Sequence, residues 1–459
     1  MGAAISYKYT NNYSTLHGYK VMTVRIDENS DDPFECCTYA DDAVGMPSGF
    51  SDDAIIAWKE FFKYRPCILC GNEVLEYLDP DNYDLREDGN PSLLNGRTHN
   101  TVNGRLGVRT YEEHWLWNSE KQNMMRIMVE WPRLGIKVSR HQNVVSISMT
   151  DQPNAPGYSY QAYYLNGISY EHLYIETNFC HLTNDGDPGD TTDDLYFADP
   201  TESPVADWWN LSDRCTTKAT LLNNLRRTQV GTTHYHLTNY HQLNIIQCAC
   251  VLHSKSIDRI NKIGLPENRE LGSPNLTNGS FGYYISSGNF GHGIYSMTFG
   301  LYNMWYSPPE RKSLLMVYDG LCCTDVGQFY VMQDGNETSR WGSVDNYQPI
   351  TSLGDFSGGV IKNNHAVKSI ITDNGTLLPS STYNTDDTYY SYWGWYGMFP
   401  DAFPKLYVSD PELDGTDDVV LCGQPMITDS EFECGGIFSA GSAMYSWCDG
   451  VFFRVSVLI

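Results

Sequence analysis

The sequence predicts an α+β, strand-rich protein in which an antiparallel β domain precedes a second domain. Short runs of alternating apolar and polar residues fill the chain to about residue 150, and turn residues such as Gly71-Asn72 and Asp88-Gly89 separate them. Aromatic residues make up 13% of the chain. Aromatic side chains fill β cores and pair strands, but they also form binding surfaces, and composition does not separate the two uses.

The N-terminal domain is predicted at 21–150, after a polar, Tyr- and Asn-rich arm at 1–20. A short helix is expected at 51–63, because Ser51 can cap it and two aspartates place negative charge in its first turn. Strands are expected in the alternating segments VMTVRID, CILCGNEVLEYL, MMRIMVEW and IKVSRHQNVVSISMT.

Residues 151–459 are predicted to form the second domain, which has long loop insertions. Its clearest element is a helix at 239–253, with Asn239 as the N-cap. This helix is apolar over much of its circumference, so we expect it to pack between layers. The segment VFFRVSVLI at 451–459 reads as a strong strand that must be tied into a sheet.

The charge balance excludes several classes of partner. Thirty Lys and Arg residues against 56 Asp and Glu residues give a formal charge of −26, which repels phosphate backbones, so no nucleic-acid partner is expected. No run of about 18 apolar residues is present, so no membrane insertion is expected. The N-terminus also lacks the pattern of a signal peptide, and we expect the protein to fold in a cytoplasm.

No motif indicates catalysis, and we expect neither an enzyme nor a cofactor. Nucleotide-binding loops and a GxSxG elbow are absent from the sequence. The 13 cysteines include only one CxxC pair, which favours reduced, buried thiols over a zinc site. His234, His236 and His241 are interpreted as ordinary core or surface positions rather than metal ligands. The acidic segment 185–194 lacks the EF-hand pattern and is interpreted as a solvated loop, so no metal site is predicted.

Several segments of the first 180 residues resemble the opening of phage and prophage tail or fibre proteins. Trp58, which lies between the first two matching segments, also fits the resemblance. The matching segments are YKVMTVRIDENSDDPFECCTYADDAVGM at 19–46, YRPCILCGNEVLEYLDPDNYDLREDGN at 64–90, MRIMVEWPRLGIKV at 125–138 and VSISMTDQP at 145–153.

The same resemblance implies a C-type-lectin-like fold for the C-terminal domain, the fold shared by phage tropism determinants and formylglycine-generating enzymes. Segment 435–459 resembles the last hairpin of that fold, entered at Gly435-Gly436 and closed by a strand that Gly450 opens. LYNMWYSP at 301–308 and VYDGL at 317–321 resemble its core motif, with Tyr306 where a glycine is usual.

The predicted binding surface is the small, flexible and aromatic stretch at 438–449, before the final strand, with Tyr445, Trp447 and Asp449 as anchors. A second aromatic cluster at 389–399 is expected to assist it. Two alternatives stay open, since Tyr445 and Trp447 could pack inward and the second cluster suits packing as well as ligand contact. The candidate ligand-binding residues are Phe438, Ser439, Ser442, Met444, Tyr445, Trp447, Asp449, Tyr392, Trp393 and Trp395.

The resemblance therefore implies a bacteriophage virion protein, a tail-fibre, tip or receptor-binding subunit assembled in the host cytoplasm. Its expected partners are a glycan or protein receptor on the host cell and other virion proteins, held through the N-terminal half, and the expected oligomer is a homotrimer. The alternative is a structural head-fibre or decoration protein without receptor binding. A formylglycine-generating-type oxidase is a minor alternative. Its chemistry needs a close pair of reactive thiols, whereas Cys434 and Cys448 are 14 residues apart and sit in no matching motif. Calcium-dependent sugar binding, as in animal lectins, is also disfavoured. Their WND signature would fall at Trp447-Cys448-Asp449, and a thiol cannot replace the Asn oxygen that a hard cation requires.

Overall fold

A computed structural model gives the fold. The residues that it describes are rich in β-strands, with fewer residues in helices. The described residues are 18–27, 36–49, 52–80, 82–95, 101–102, 105–106, 116–142, 144–177, 180–183, 195–198, 222, 234–255, 297–302, 314–323, 329–336, 347–349, 352–358, 367–372, 377–379, 419–426, 440–441 and 450–459.

The first fourteen strands lie before residue 180, and eleven of them fall within the predicted N-terminal domain at 21–150. They are β1 (Val21–Asp27), β2 (Cys37–Asp41), β3 (Arg65–Cys70), β4 (Glu73–Asp79), β5 (Asn82–Arg86), β6 (Thr101–Val102), β7 (Arg105–Leu106), β8 (Trp117–Asn118), β9 (Asn123–Pro132), β10 (Gly135–His141), β11 (Val144–Thr150), β12 (Tyr164–Leu165), β13 (Ile168–Ser169) and β14 (His172–Glu176).

The remaining strands follow in the second half of the chain. They are β15 (Cys180–Thr183), β16 (Leu195–Ala198), β17 (Tyr235–Leu237), β18 (Met297–Thr298), β19 (Leu301–Tyr302), β20 (Leu314–Cys323), β21 (Phe329–Met332), β22 (Tyr347–Pro349), β23 (Ser352–Gly358), β24 (Val367–Thr372), β25 (Leu377–Pro379), β26 (Val419–Met426), β27 (Ala440–Gly441), β28 (Gly450–Phe453) and β29 (Val455–Leu458).

Two sheets organise the well-buried part of the molecule. The smaller has the antiparallel order β10-β11-β1-β2, with Val24 of β1 opposite Ile147 of β11. The larger has the order β17-β29-β14-β9-β3-β4-β5, and β8 pairs with β9 beside this path. All pairings in both sheets are antiparallel, so the strand-rich, antiparallel prediction is confirmed.

Two α-helices accompany the sheets, α1 (Asp52–Phe62) and α2 (Tyr240–Ser254). Both match the predicted helices at 51–63 and 239–253, although Ser51 lies outside the described residues. Asn239 caps α2 in a capping box, because its side chain accepts from Gln242 N while the Gln242 side chain accepts from Asn239 N. Lys255 ends the helix in the left-handed conformation.

Helix α2 is buried in the main core, which also contains residues of both sheets. Tyr39 of β2 donates to the carbonyl of Leu252 at 2.6 Å, which ties the helix to the smaller sheet. Gln242 contacts His236 of β17 at 2.8 Å, which ties it to the larger sheet. The main core surrounds α2 and includes an aromatic group in which Phe299 packs edge-on against Phe62 and Trp131.

A third sheet joins strands of the C-terminal half in the order β16-β15-β28-β20-β21-β22, with β26 paired to β20 and β27 paired to β26. Its β20–β28 pairing is parallel, whereas its other pairings are antiparallel. The segment VYDGL lies within β20, and the segment LYNMWYSP is described only at β19.

The single continuous strand expected at 451–459 is wrong, although the segment is tied into sheets. The chain leaves the third sheet after β28 and enters the larger sheet as β29, with Arg454 between the two strands. Arg454 is 1% exposed and its Nη1 donates to the carbonyl of Glu176 at 2.7 Å. The switch between sheets therefore occurs where this side chain turns into the interior.

The larger sheet draws strands from both sides of residue 150. Strand β14 pairs with β9, and β29 pairs with β14 and β17. The division of the chain into 1–20, 21–150 and 151–459 stays a prediction, and the core that surrounds α2 is shared across its second boundary.

Candidate functional site

The predicted binding surface lies outside the described residues. This holds for all ten candidate residues, Phe438, Ser439, Ser442, Met444, Tyr445, Trp447, Asp449, Tyr392, Trp393 and Trp395, and also for the acidic segment 185–194. The structure does describe the strands on either side of residues 442–449. Strand β27 directly precedes that stretch and β28 directly follows it, so β27 falls within the predicted surface at 438–449, after Phe438 and Ser439.

Both flanking strands are anchored in the third sheet. In β27, Gly441 pairs with Cys422 of β26. In β28, Gly450 pairs with Leu314 of β20, and Phe453 at the other end pairs with Cys180 of β15. Since β26 also pairs with β20, the two flanking strands are attached to one central strand.

The three histidines of the sequence pattern lie near the N-terminal end of α2 with different surroundings. His236 Nδ1 lies 2.9 Å from the carbonyl oxygen of His234, and its Nε2 lies 2.8 Å from Gln242 Nε2. An amide nitrogen donates, so His236 Nε2 accepts and the ring proton resides on Nδ1. His236 is thus held neutral by two hydrogen bonds within the core.

His241 is buried on α2, and its Nε2 lies 2.7 Å from the carbonyl oxygen of Met332. Burial lowers the pKa of His241 to about 4, so the ring is neutral near pH 7 and donates from Nε2. His234 packs edge-on against Tyr170 with 5.1 Å between ring centroids. Among the residues that the structure describes, no group of three or more His, Cys, Asp or Glu side chains is arranged to hold a metal ion.

A carboxylate-centred cluster, which the sequence analysis missed, lies on one face of the larger sheet around Glu130 of β9. Strand pairing places Arg65 opposite Glu130 on one side and Tyr174 on the other. Tyr77 and Tyr174 both donate to Glu130 Oε2, at 2.8 and 2.9 Å. His172 Nδ1 lies 3.5 Å from Oε1 of the same carboxylate.

The partners of Glu130 keep it ionised. Burial alone would raise the pKa of the Glu130 carboxyl, but the nearby His172 ring and the hydrogen bonds from Tyr77 and Tyr174 outweigh it and hold the pKa below its usual range. The contact with Glu130 in turn raises the pKa of His172, aided by the charge of Glu171. Burial raises the pKa of both tyrosines, so their hydroxyls stay protonated donors.

Arg65 closes the outer side of this cluster. Its guanidinium lies 3.3 Å from the centre of the Tyr77 ring and also makes two hydrogen bonds to Glu87, at 3.0 and 2.7 Å. The side chains of Arg65, Glu87 and His172 are about two-fifths exposed. The charged groups of the cluster therefore pair with one another across neighbouring strands of the larger sheet.

A fully buried ion pair lies farther along the same sheet. Arg126 of β9 and Glu176 of β14 meet at 2.6 Å, and both side chains are 1% exposed. The Arg126 guanidinium also lies 5.6 Å from the Tyr235 ring centre, and Tyr235 donates to the carbonyl of Gly71. The segment MMRIMVEW shows that this strand carries the charged residues Arg126 and Glu130. It does not show that they are buried, because a pattern of apolar and polar residues by itself assigns charged side chains to a solvated face.

The cysteines whose side chains the structure describes are buried and form no disulfide bond, in agreement with the reduced thiols that the sequence predicts. They are Cys36, Cys37, Cys67, Cys70, Cys248 and Cys250. Burial raises the pKa of the Cys67, Cys70, Cys248 and Cys250 thiols, so these four are poor nucleophiles near neutral pH.

Two further findings concern the chain as a whole. None of the helices within the described residues is both long and apolar enough to cross a membrane. Comparison with protein-family models, with curated proteins and with solved structures finds no match. The resemblance to phage tail and fibre proteins therefore stays a prediction.

Proposed function

We infer that this chain is a virion protein of a bacterial virus, a tail-fibre, tip or receptor-binding subunit that recognises a host-surface ligand. The proposed binding domain is C-type-lectin-like, and the proposed role is binding rather than catalysis. The observation that carries the proposal is that β27 and β28, which lie on either side of residues 442–449, are both paired within the third sheet.

Anchored flanks suit a recognition loop. Binding loops commonly sit on a rigid sheet that tolerates changes between its strands. Here β28 continues through Arg454 into β29, which pairs with strands on both of its sides. Substitutions between β27 and β28 would therefore leave the strand pairing intact, while Tyr445 and Trp447 supply rigid contact area at small entropic cost.

The proposed partners follow from the proposed role as a receptor-binding virion subunit. The receptor is a glycan or a protein of the host cell, and the N-terminal half attaches the subunit to other virion proteins. The proposed oligomer is a homotrimer, in which three weak sites act together through avidity. A stable monomer across micromolar concentrations in sedimentation experiments would contradict the trimer without affecting the proposed binding loop.

The test replaces Tyr445 and Trp447 with alanine, singly, and measures host-cell binding and thermal unfolding separately. Removing a true anchor costs about 2 kcal/mol, which is roughly a thirtyfold loss of affinity. The control is Ile168→Ala, since Ile168 is 59% exposed in the hairpin strand β13, outside the proposed surface. Lost binding with unchanged melting supports the proposal. Lost folding in both variants, or unchanged binding, would contradict it.

A further inference from the structure

A small cavity lies beside α2 and the 3-10 helix formed by Gln161–Tyr163. Its lining includes apolar groups from Leu134 and Ile136, polar groups from Ser159 and Gln161, and two residues of α2, His241 and Asn244. The space is sufficient for about one water molecule. This cavity is separate from the proposed binding surface and from the Glu130 cluster.

His241 presents a hydrogen-bond acceptor near this space. Its Nε2 carries the ring proton, because that atom faces the carbonyl oxygen of Met332 at 2.7 Å. In a neutral imidazole the other nitrogen then bears a lone pair, so Nδ1 can only accept. Within the described part of the chain, Nδ1 of His241 has no hydrogen-bond partner.

Asn244 presents the complementary donor. It is 4% exposed, and its Oδ1 faces the thiol of Cys248 at 4.0 Å. Among the described residues, its Nδ2 has no acceptor. His241 and Asn244 are three positions apart on α2 and therefore share one face of the helix. His241 and Asn244, which carry this acceptor and this donor, thus line the same cavity as the apolar residues Leu134 and Ile136.

We propose that this cavity binds one structural water molecule, which donates a hydrogen bond to His241 Nδ1 and accepts one from Asn244 Nδ2. Water fits because it both donates and accepts, and because a charged ligand would meet no opposite charge among these lining residues. The bound water would fix the orientation of the His241 ring. That ring holds Met332, so the water would help to position the 331–336 segment against α2.

The test is a high-resolution crystal structure of the full chain, with and without xenon pressure, for the wild type and two variants. In the wild type we expect a water peak roughly 2.7–3.2 Å from both nitrogen atoms and no xenon, since polar cavities hold water and apolar ones take up xenon. Asn244→Leu removes the donor and should lose the peak. Asn244→Ser keeps a hydroxyl donor and should retain it.

The wild-type crystals decide the question even if Asn244→Leu does not fold. A cavity without density, one that takes up xenon, or one occupied by a larger molecule would overturn the proposal. A water peak that persists unchanged in folded Asn244→Leu would also overturn it, because the water would then not depend on Asn244.

Discussion

Gly335 occupies a position where a side chain has no room. Its φ is +63°, and a Cβ atom there would lie 2.0 Å from the carbonyl oxygen of Tyr164. The turn that contains it docks on the β12–β13 turn, where Asn166 N donates to the carbonyl of Gly335 and Gly167 N to that of Asp334. A methyl group at this position would force the two turns apart.

We therefore expect Gly335→Ala to lower the free energy of unfolding by about 3 kcal/mol, from left-handed strain together with lost hydrogen bonds. The matched control is Gly89→Ala, since Gly89 has φ +78° but open space around its Cβ. That change should cost only about 1 kcal/mol. Urea unfolding measures both, and equal losses would show that the turn contact contributes nothing.

The His172–Glu130 pair should make stability depend on pH. Because the pKa of folded His172 is raised, its contribution is fully present below the unfolded value of 6.5 and is lost as the pH rises through the folded pKa. The pKa of Glu130 is lowered, so its contribution is present above 4.5 and is lost as the pH falls through the folded pKa. The coupling should therefore be largest at pH between these two unfolded values.

A double-mutant cycle with His172→Gln and Glu130→Gln isolates this coupling at each pH. His172 is 45% exposed, so we expect a coupling energy below about 1 kcal/mol that falls toward zero above neutral pH. Chemical unfolding of the four proteins from pH 5 to pH 9 provides the measurement. A coupling that rises with pH would mean that the two side chains do not form an ion pair.

Single residues mark the limit of sequence-based prediction. The alternation in MMRIMVEW predicts a strand but not that Arg126 and Glu130 are both buried, because burial depends on what covers each face. The neutral His236 likewise depends on Gln242, a partner from a different element. The residues of the predicted binding surface lie outside the described part, so their assignment stays a prediction.

At the scale of elements, the sequence predicted both the range of helix α2 and its N-cap residue. Asn239 was expected as the N-cap and fills that position. The reciprocal hydrogen bond, which Asn239 N donates to the Gln242 side chain, was not predicted, although the spacing of Asn239 and Gln242 is that of a capping box and could have indicated it. Local chemistry sets this helix start, which is why the sequence contains the signal.

Asn239→Ala should destabilise the protein by about 1 kcal/mol, within the range of measured cap removals. The cap satisfies the backbone N–H of Gln242, which is buried and would otherwise lack its acceptor. Asn239→Ser keeps a side-chain oxygen and should recover most of the loss. Thermal unfolding of the three proteins measures this, and a serine variant as unstable as the alanine variant would argue against the cap.

At the scale of the whole molecule, long-range pairing was the least predictable feature. The period of VFFRVSVLI indicates a strand, but periodicity says nothing of which strands lie beside it. In the structure β29 lies between β14 and β17, with Ser456 opposite Ile175 on one side and His236 on the other. A strand in this position supplies hydrogen bonds to two neighbours.

Ser456→Pro should abolish folding, because proline removes a backbone donor from an internal strand and is excluded there. Ser456 is fully buried, and its hydroxyl contacts Thr238 at 2.8 Å. The control Ser456→Ala removes only that hydroxyl contact and should cost about 1 kcal/mol. Soluble yield and far-ultraviolet circular dichroism compare the two, and a folded proline variant would contradict the internal position of β29.

The position of β29 also bears on how the chain folds while it is being made. Glu176 and Arg454, which meet beside β14 and β29, are 278 residues apart in the sequence. At roughly 5–20 residues per second, a ribosome needs on the order of tens of seconds to add that interval. Until β29 is made, the edge of β14 that pairs with it lacks that partner, and unpaired strand edges pair readily with other chains. Nascent chains should therefore depend on chaperones more than their finished product does, and slower translation should lower the soluble yield.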